Sequence, residues 1–198
     1  YKTWGSLVVN GLSEAERLGA AGHALVGTVP AQHMYGFEST VLICLHGRAA
    51  LSSGRPFYPA DIAAALAAVP RPRALVTTPF HLRALLDAGV AVPPLDFILS
   101  ATAPLSEDLA RRAEAALGAP LLEIYGCTEA GQVASRRTTA GETWQTLAKL
   151  CAGPLSSPDR AIEAWIEALA AEAAGELIAQ GIADPQVTRT AHLRYEGQ

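Results

Sequence analysis

The sequence predicts an α/β fold: a mostly parallel sheet with helices on both faces, followed by an α-helical C-terminal tail. Three observations carry this. Apolar, β-branched runs of about five residues alternate with amphipathic stretches of about twelve, the pattern of β-α-β units. Half of the 198 residues are hydrophobic, enough to bury one sizeable core. Near residue 147 the texture changes, and a Gly-Pro-Leu-Ser-Ser-Pro linker at 153–158 leads into an Ala/Glu-rich stretch. A boundary is therefore expected at 147, with an α/β unit over 1–147 and a linker, helix and arm over 148–198.

The first helix is expected over residues 4–18, because Val8, Leu12, Ala15 and Leu18 recur at helical spacing and Gly19 supplies a stop. Gly11 falls inside it and could split it, since glycine costs about 1 kcal/mol against alanine in a helix interior. Residues 24–30 form a short apolar run ended by Pro30, the pattern of a strand covered on both faces. The alternation then continues. Helices are expected at 36–46, 61–69, 80–88 and 106–117, and strands at 49–52, 74–78, 97–100 and 121–125. Ser106, Glu107 and Asp108 place a hydroxyl cap and an acidic first turn at the start of one helix. Past the linker, a helix is expected over about 159–180, and 187–195 alternates like an exposed strand. Parallel sheets bind ligands outside the carboxyl ends of their strands. The segments 30–35, 77–80, 100–104 and 125–129 therefore carry the most functional weight.

Composition excludes several classes. Charged residues make up 17% of the chain, the net charge is −4 and no run of like charges occurs, so a nucleic-acid footprint is absent. Cys44, Cys127 and Cys151 are widely spaced and odd in number, which argues against a zinc site or a disulfide framework and fits a reducing cytoplasm. The start, Tyr1-Lys2-Thr3-Trp4-Gly5, lacks the layout of a targeting segment, and no apolar stretch approaches the roughly 18 residues of a membrane span. The expectation is a soluble, untargeted protein.

The sharpest chemical signal is Tyr125-Gly126-Cys127-Thr128-Glu129-Ala130-Gly131, at the end of an apolar strand. Glycine there lets backbone approach a ligand, and an adjacent hydroxyl and carboxylate could hold a phosphate oxygen and a divalent cation. This segment resembles the tyrosine-glycine-x-threonine-glutamate motif of the AMP-forming acyl-CoA synthetase, luciferase and peptide-synthetase adenylation superfamily. Two further segments agree in order and spacing. Pro30-Ala31-Gln32-His33-Met34-Tyr35-Gly36 resembles the family's proline-x-x-histidine-x-x-glycine loop, and Ser100-Ala101-Thr102-Ala103-Pro104-Leu105-Ser106 resembles its serine-glycine-glycine-alanine-proline-leucine stretch. The resemblance covers about residues 1–147.

It implies that the full enzyme joins a carboxylic acid to ATP, releasing pyrophosphate, and passes the acyl group to CoA or a carrier-protein thiol. It implies that Thr128 meets the ATP phosphates, that Glu129 holds Mg²⁺, and that Tyr125, Gly126 and the backbone of Thr102, Ala103 and Pro104 border the adenine. His33 would stand at the mouth of the acyl pocket. Such a reaction gathers anions, so a metal and hydrogen-bond donors are needed to offset developing charge. The sequence departs from the family pattern at Ala101 and Thr102, which replace paired glycines. The family's glycine-, serine- and threonine-rich phosphate loop ending in lysine is expected ahead of the first helix, and is not found there. The ribose-binding aspartate and the catalytic lysine expected downstream are not recognisable after Leu147. The chain is thus expected to turn over poorly alone and to bind nucleotide weakly.

Taken singly, these residues have plainer roles. Glu129 could be a solvated loop residue, His33 a hydrogen-bonded loop histidine, and Tyr125 a half-buried strand residue; Cys127 has no evident partner base. His46 and His81 read as surface or satisfied histidines. Arg194-Tyr195-Glu196-Gly197-Gln198 has a weak resemblance to hydantoinase and oxoprolinase proteins, which would make the chain a composite. Alternatives are a non-catalytic α/β scaffold whose tail mediates association, with homo-oligomers formed through it, and a hydantoinase-type hydrolase piece. The mostly apolar or small residues at 33–41, Phe80 and Ala101 suggest an aryl or fatty acyl substrate.

Overall fold

The computed structural model describes residues 3–127, 131–147, 186–188 and 192–194. The tail helix expected at 159–180 lies outside them.

Helix α1 spans Trp4–Leu18. Thr3 caps it by accepting from the Ser6 N–H at 3.2 Å, and Gly19 ends it at φ +60° with its N–H on the carbonyls of Ala15 and Glu16. Gly11 does not split the helix. A Cβ there would lie 2.9 Å from Leu42 Cβ, so glycine is what lets α1 press against the next helical segment.

Strand β1 (Ala24–Gly27) is followed by a helical segment two residues longer at its start than expected. Helix α2 (Met34–Gly36) runs into a π-helical turn, Phe37–Leu42, and on into α3 (Ile43–Gly47). His33 caps it, its Nδ1 accepting from the Tyr35 N–H at 3.2 Å. Gly36 sits where a Cβ would meet the Pro30 carbonyl oxygen at 2.1 Å. The Thr40 hydroxyl donates to the Gly36 carbonyl at 2.5 Å, a back-bond that competes with the regular ladder. The widened turn brings Glu38, Ser39 and Thr40 inward together, all buried.

The remaining units follow the expected order with shifts of one or two residues at their ends. They are β2 (Ala50–Leu51), α4 (Pro59–Ala68), β3 (Arg73–Thr77), α5 (Pro79–Ala88), β4 (Phe97–Ser100), α6 (Glu107–Leu117) and β5 (Leu121–Cys127). Strands β2-β1-β3-β4-β5 lie side by side in that order, all parallel. Val26, Leu75, Ile98 and Leu121 pair in a row across four of them and bury into a core beneath α4, α5 and α6. Their neighbours Leu25, Ala74 and Phe97 form a second row on the opposite face, in a core shared with Ala15 of α1 and Ile43 of α3. One residue's step along each strand changes the face, so helices cover both sides of the sheet.

Two strands were not expected. After β5 the sheet turns antiparallel with β6 (Gly131–Arg136) and β7 (Trp144–Thr146). Gln132 and Ser135 are 3% and 0% exposed, so a polar segment is buried where a hydrophobic pattern would be sought. The alternating run near the end is two strands rather than one: β8 (Gln186–Thr188) and β9 (His192–Arg194) pair antiparallel, Val187 with Leu193, and β9 adds to β7.

Candidate functional site

The parallel strands bring their carboxyl ends to one edge, and the loops leaving β1 and β4 meet the end of β5 there. They surround a cavity of about 130 Å³ whose lining includes His33, Glu38, Thr102, Ile124, Gly126 and Gln132. Three segments distant in sequence thus converge on one space.

His33 is exposed at the cavity rim. Because its Nδ1 accepts from the Tyr35 N–H, the neutral ring carries its proton on Nε2 and is a donor there. Tyr35 itself is buried, 6% exposed, and its hydroxyl donates to the Thr77 carbonyl at 3.1 Å, tying the histidine loop to the end of β3. Burial, with Glu14 nearby, holds the Tyr35 phenol well above its ordinary range. Thr28 and Thr77 hydroxyls add a 2.9 Å bond between the same two strand ends.

Thr102, Ala103 and Pro104 form an exposed shelf after β4. Thr102 sits at φ +79°, a left-handed backbone in which a side chain is strained and glycine is relaxed. The departure from paired glycines noted in the sequence therefore falls on a position whose backbone geometry favours glycine. The shelf is held from below by Glu123, whose carboxylate accepts from the Leu105 N–H at 3.2 Å and from the Thr138 hydroxyl at 3.1 Å. Glu123 also pairs with Arg136 at 2.8 Å, with the two side chains 7% and 11% exposed. The Arg136 guanidinium lies over the Trp144 ring at 4.5 Å, and Tyr125 meets the same ring edge-on at 5.8 Å. Tyr125 is half-buried on this platform, beside the shelf.

Gly126 is required where it stands. The β5–β6 register shifts between Tyr125 and Gly126, and a Cβ on Gly126 would lie 2.2 Å from the Gly131 carbonyl oxygen. Thr128 and Glu129, the nominated phosphate and Mg²⁺ groups, lie outside the described residues. Among the described residues no group of three or more His, Cys, Asp or Glu gathers around a point.

Behind the cavity lies a polar chain that sequence reading missed. Glu14 on α1 is fully buried, and Ser39 of the π-helical turn donates to its Oε1 at 2.7 Å. Gln132 Nε2 donates to the Ser39 hydroxyl oxygen at 2.6 Å. Burial pushes the Glu14 carboxyl up to about 8, partly offset by the hydrogen bond from Ser39 and the nearby Gln132 amide and reinforced by the nearby Glu38. Glu38, 1% exposed, accepts from Asn10 Nδ2 at 3.4 Å. The signal available in the sequence was weak: Glu14 and Glu38 are isolated carboxylates within helical stretches, and Gln132 lies on an unforeseen strand.

Residues 3–190 match the AMP-binding enzyme family. The chain belongs to that family. A 4-coumarate–CoA ligase of Rhodobacter capsulatus is 35% identical over 137 residues, covering 68% of this chain and 35% of that protein. The fold is that of solved relatives. Apo MatB from Rhodopseudomonas palustris superposes with a TM-score of 0.58 at 23% identity, covering 68% of this chain and 27% of that one. O-succinylbenzoate coenzyme A synthetase (MenE) from Bacillus subtilis, in complex with ATP and magnesium ion, gives 0.58 at 20% identity, with 69% and 29% covered. The chain spans about a third of the length of the curated relative and somewhat less of these solved ones. The parallel sheet with helices on both faces is the fold shared with these solved structures. No helix among the described residues is long and apolar enough to cross a membrane.

Proposed function

We propose that this chain supplies the carboxylate-binding and adenine-bordering part of an ATP-dependent acyl-CoA ligase, cytoplasmic in location, that forms an acyl-adenylate and then a thioester. The observation that carries the reading is the convergence of the His33 loop, the Thr102–Ala103–Pro104 shelf and the Tyr125-Gly126 strand end around one cavity. The relative named as a 4-coumarate–CoA ligase and the malonyl-CoA ligase solved as a ternary product complex with methylmalonyl-CoA and AMP support the same class.

In this reading a carboxylate oxygen attacks the α-phosphorus of ATP, the bond to pyrophosphate breaks, and acyl-AMP forms. The CoA or carrier-protein thiol then attacks the acyl carbon and AMP leaves. The His33 Nε2–H, fixed by the Nδ1 bond to the Tyr35 N–H, is a donor for the acid's carboxylate at the cavity rim. Tyr125 and the exposed shelf offer an aromatic face and backbone groups for the adenine. Thr128 and Glu129 would hold the phosphates and Mg²⁺. A magnesium ion on phosphates usually takes only one or two protein carboxylates. One glutamate, Glu129, is therefore a sufficient protein donor set, and the metal would offset charge on the phosphates when bound.

Isothermal titration of ATP with Mg²⁺, on this chain and on Glu129→Ala, tests the reading. Metal-dependent binding that the substitution removes is the expected result. Equal binding by both chains, or none by either, would count against the assigned phosphate site.

A further inference from the structure

Glu123 and Tyr125 leave the same face of β5, because side chains two residues apart on a strand share a side. Glu123 pairs with Ser100 of β4 on one side and with Arg136 of β6 on the other, and the β6–β7 register sets Trp144 next in that row. Ser100, Glu123 and Trp144 are all buried. A carboxylate is costly in such a place unless donors occupy it. Three do. Oε2 accepts from Arg136 Nε at 2.8 Å and from the Thr138 hydroxyl at 3.1 Å, and Oε1 accepts from the Leu105 N–H at 3.2 Å.

The bond to Leu105 leads to the site. Leu105 follows directly on the exposed shelf of Thr102, Ala103 and Pro104. Among the described residues these three make no hydrogen bond to the sheet themselves. The shelf is therefore spanned between two fixed points, Ser100 at the end of β4 and Leu105 on the Glu123 carboxylate. Ser100 and Glu123 are register partners, so both points belong to the same row. One carboxylate thus sets the height of the shelf relative to the Tyr125 ring, two residues along its own strand.

We infer that Glu123 is a positioning residue for nucleotide binding: by holding the Leu105 N–H it fixes the gap between the shelf and the Tyr125 ring in which the adenine is held. Arg136 and Thr138 fix the carboxylate in turn. This rests on the adenylating reading and adds to it a residue outside the three motifs.

The test is titration of 5′-O-sulfamoyladenosine, which brings the adenosine without the triphosphate, into the native chain and three variants whose stability is read by urea unfolding. Leu75→Ala lowers the urea midpoint from the core row beneath α4, α5 and α6 and should bind as the native chain does. Glu123→Leu combined with Arg136→Met removes the buried charge pair as a unit, so neither charge is left uncompensated. It also removes the acceptor for Leu105, and its affinity should fall about tenfold or more. Glu123→Asp keeps the charge opposite Arg136 but withdraws it by one methylene. The 3.2 Å bond to Leu105 is longer than the 2.8 Å bond to Arg136 and is lost first, so this chain too should bind about tenfold or more weaker. Affinity that tracks the urea midpoint through all four chains makes Glu123 merely structural and overturns the inference. Near-native binding by the double variant, or by Glu123→Asp where the double variant does not fold, overturns it as well and leaves the adenylating reading in place. Failure of the native chain, shown to be folded by its thermal melt, to bind the compound overturns the adenylating reading and this inference with it.

Discussion

Glutamine at position 14 should make this protein more stable at neutral pH and leave it nearly unchanged in acid. Glu14 is fully buried, and burial raises its carboxyl from an ordinary 4.5 to about 8. A raised carboxyl means that the folded state holds a proton which the unfolded chain releases above pH 4.5. Folding stability from this group is therefore whole below 4.5 and falls as pH rises, until the folded carboxyl itself ionises near 8. At pH 7 the unfolded carboxyl is two and a half pH units past its midpoint, worth about 3 kcal/mol at about 1.4 kcal/mol per unit. Glu14→Gln removes that cost and keeps an oxygen for the Ser39 hydroxyl. For a chain of this size about 3 kcal/mol corresponds to a rise in Tm of about 6–12 °C. Thermal melts of both proteins from pH 4 to 8 measure it. Any cost of the amide's own hydrogens displaces the whole curve, so the slope of the Tm difference against pH decides. Parallel Tm curves across this range would refute the claim that Glu14 is protonated in the folded protein.

Further substitutions probe other parts of the site. Gly126→Ala should destabilise by about 1–3 kcal/mol, the scale of an overpacking clash, because its Cβ would lie 2.2 Å from the Gly131 carbonyl oxygen; urea unfolding reads this. Glu123→Leu leaves Arg136 without its buried partner and the Leu105 N–H without an acceptor, and should cost about 3–5 kcal/mol in the same assay. Thr102→Gly relieves a side chain at φ +79° and should be stabilising by about 1 kcal/mol, seen as a higher urea midpoint at unchanged m. Leu75→Ala, in the row that crosses the parallel strands, should cost about 2–5 kcal/mol.

The parallel half of the sheet was legible because its strands are buried on both faces and announce themselves as unbroken apolar runs. Leu25, Val26, Leu75, Ile98 and Leu99 are all fully buried, so the runs had no choice but the interior. The cap at Ser106 was legible for a similar reason: its hydroxyl is a local hydrogen-bond acceptor for the Leu109 N–H, three residues on. The antiparallel extension was not. Strand β6 reads Gly-Gln-Val-Ala-Ser-Arg, and its burial depends on partners far away, such as the hydrogen bond from Arg17 on α1 to the Ser135 hydroxyl at 2.9 Å.

The same division holds for the site. Motif spacing nominated His33, the shelf at Thr102, Ala103 and Pro104, and Tyr125 with Gly126, since each stands near or just past the end of a strand and the carboxyl edge of a parallel sheet is a local consequence of chain direction. Thr128 and Glu129 stand on that same motif logic. Only the tertiary structure decided that Glu14, Ser39 and Gln132, from three separate elements, form one buried chain, and that Glu38 turns inward on a π-helical turn. A sequence records which residues can form hydrogen bonds and which must be buried. Which buried polar groups find one another is set by packing, because the protonation of Glu14 and the orientation of Gln132 exist only once water has been excluded between α1, the π turn and β6.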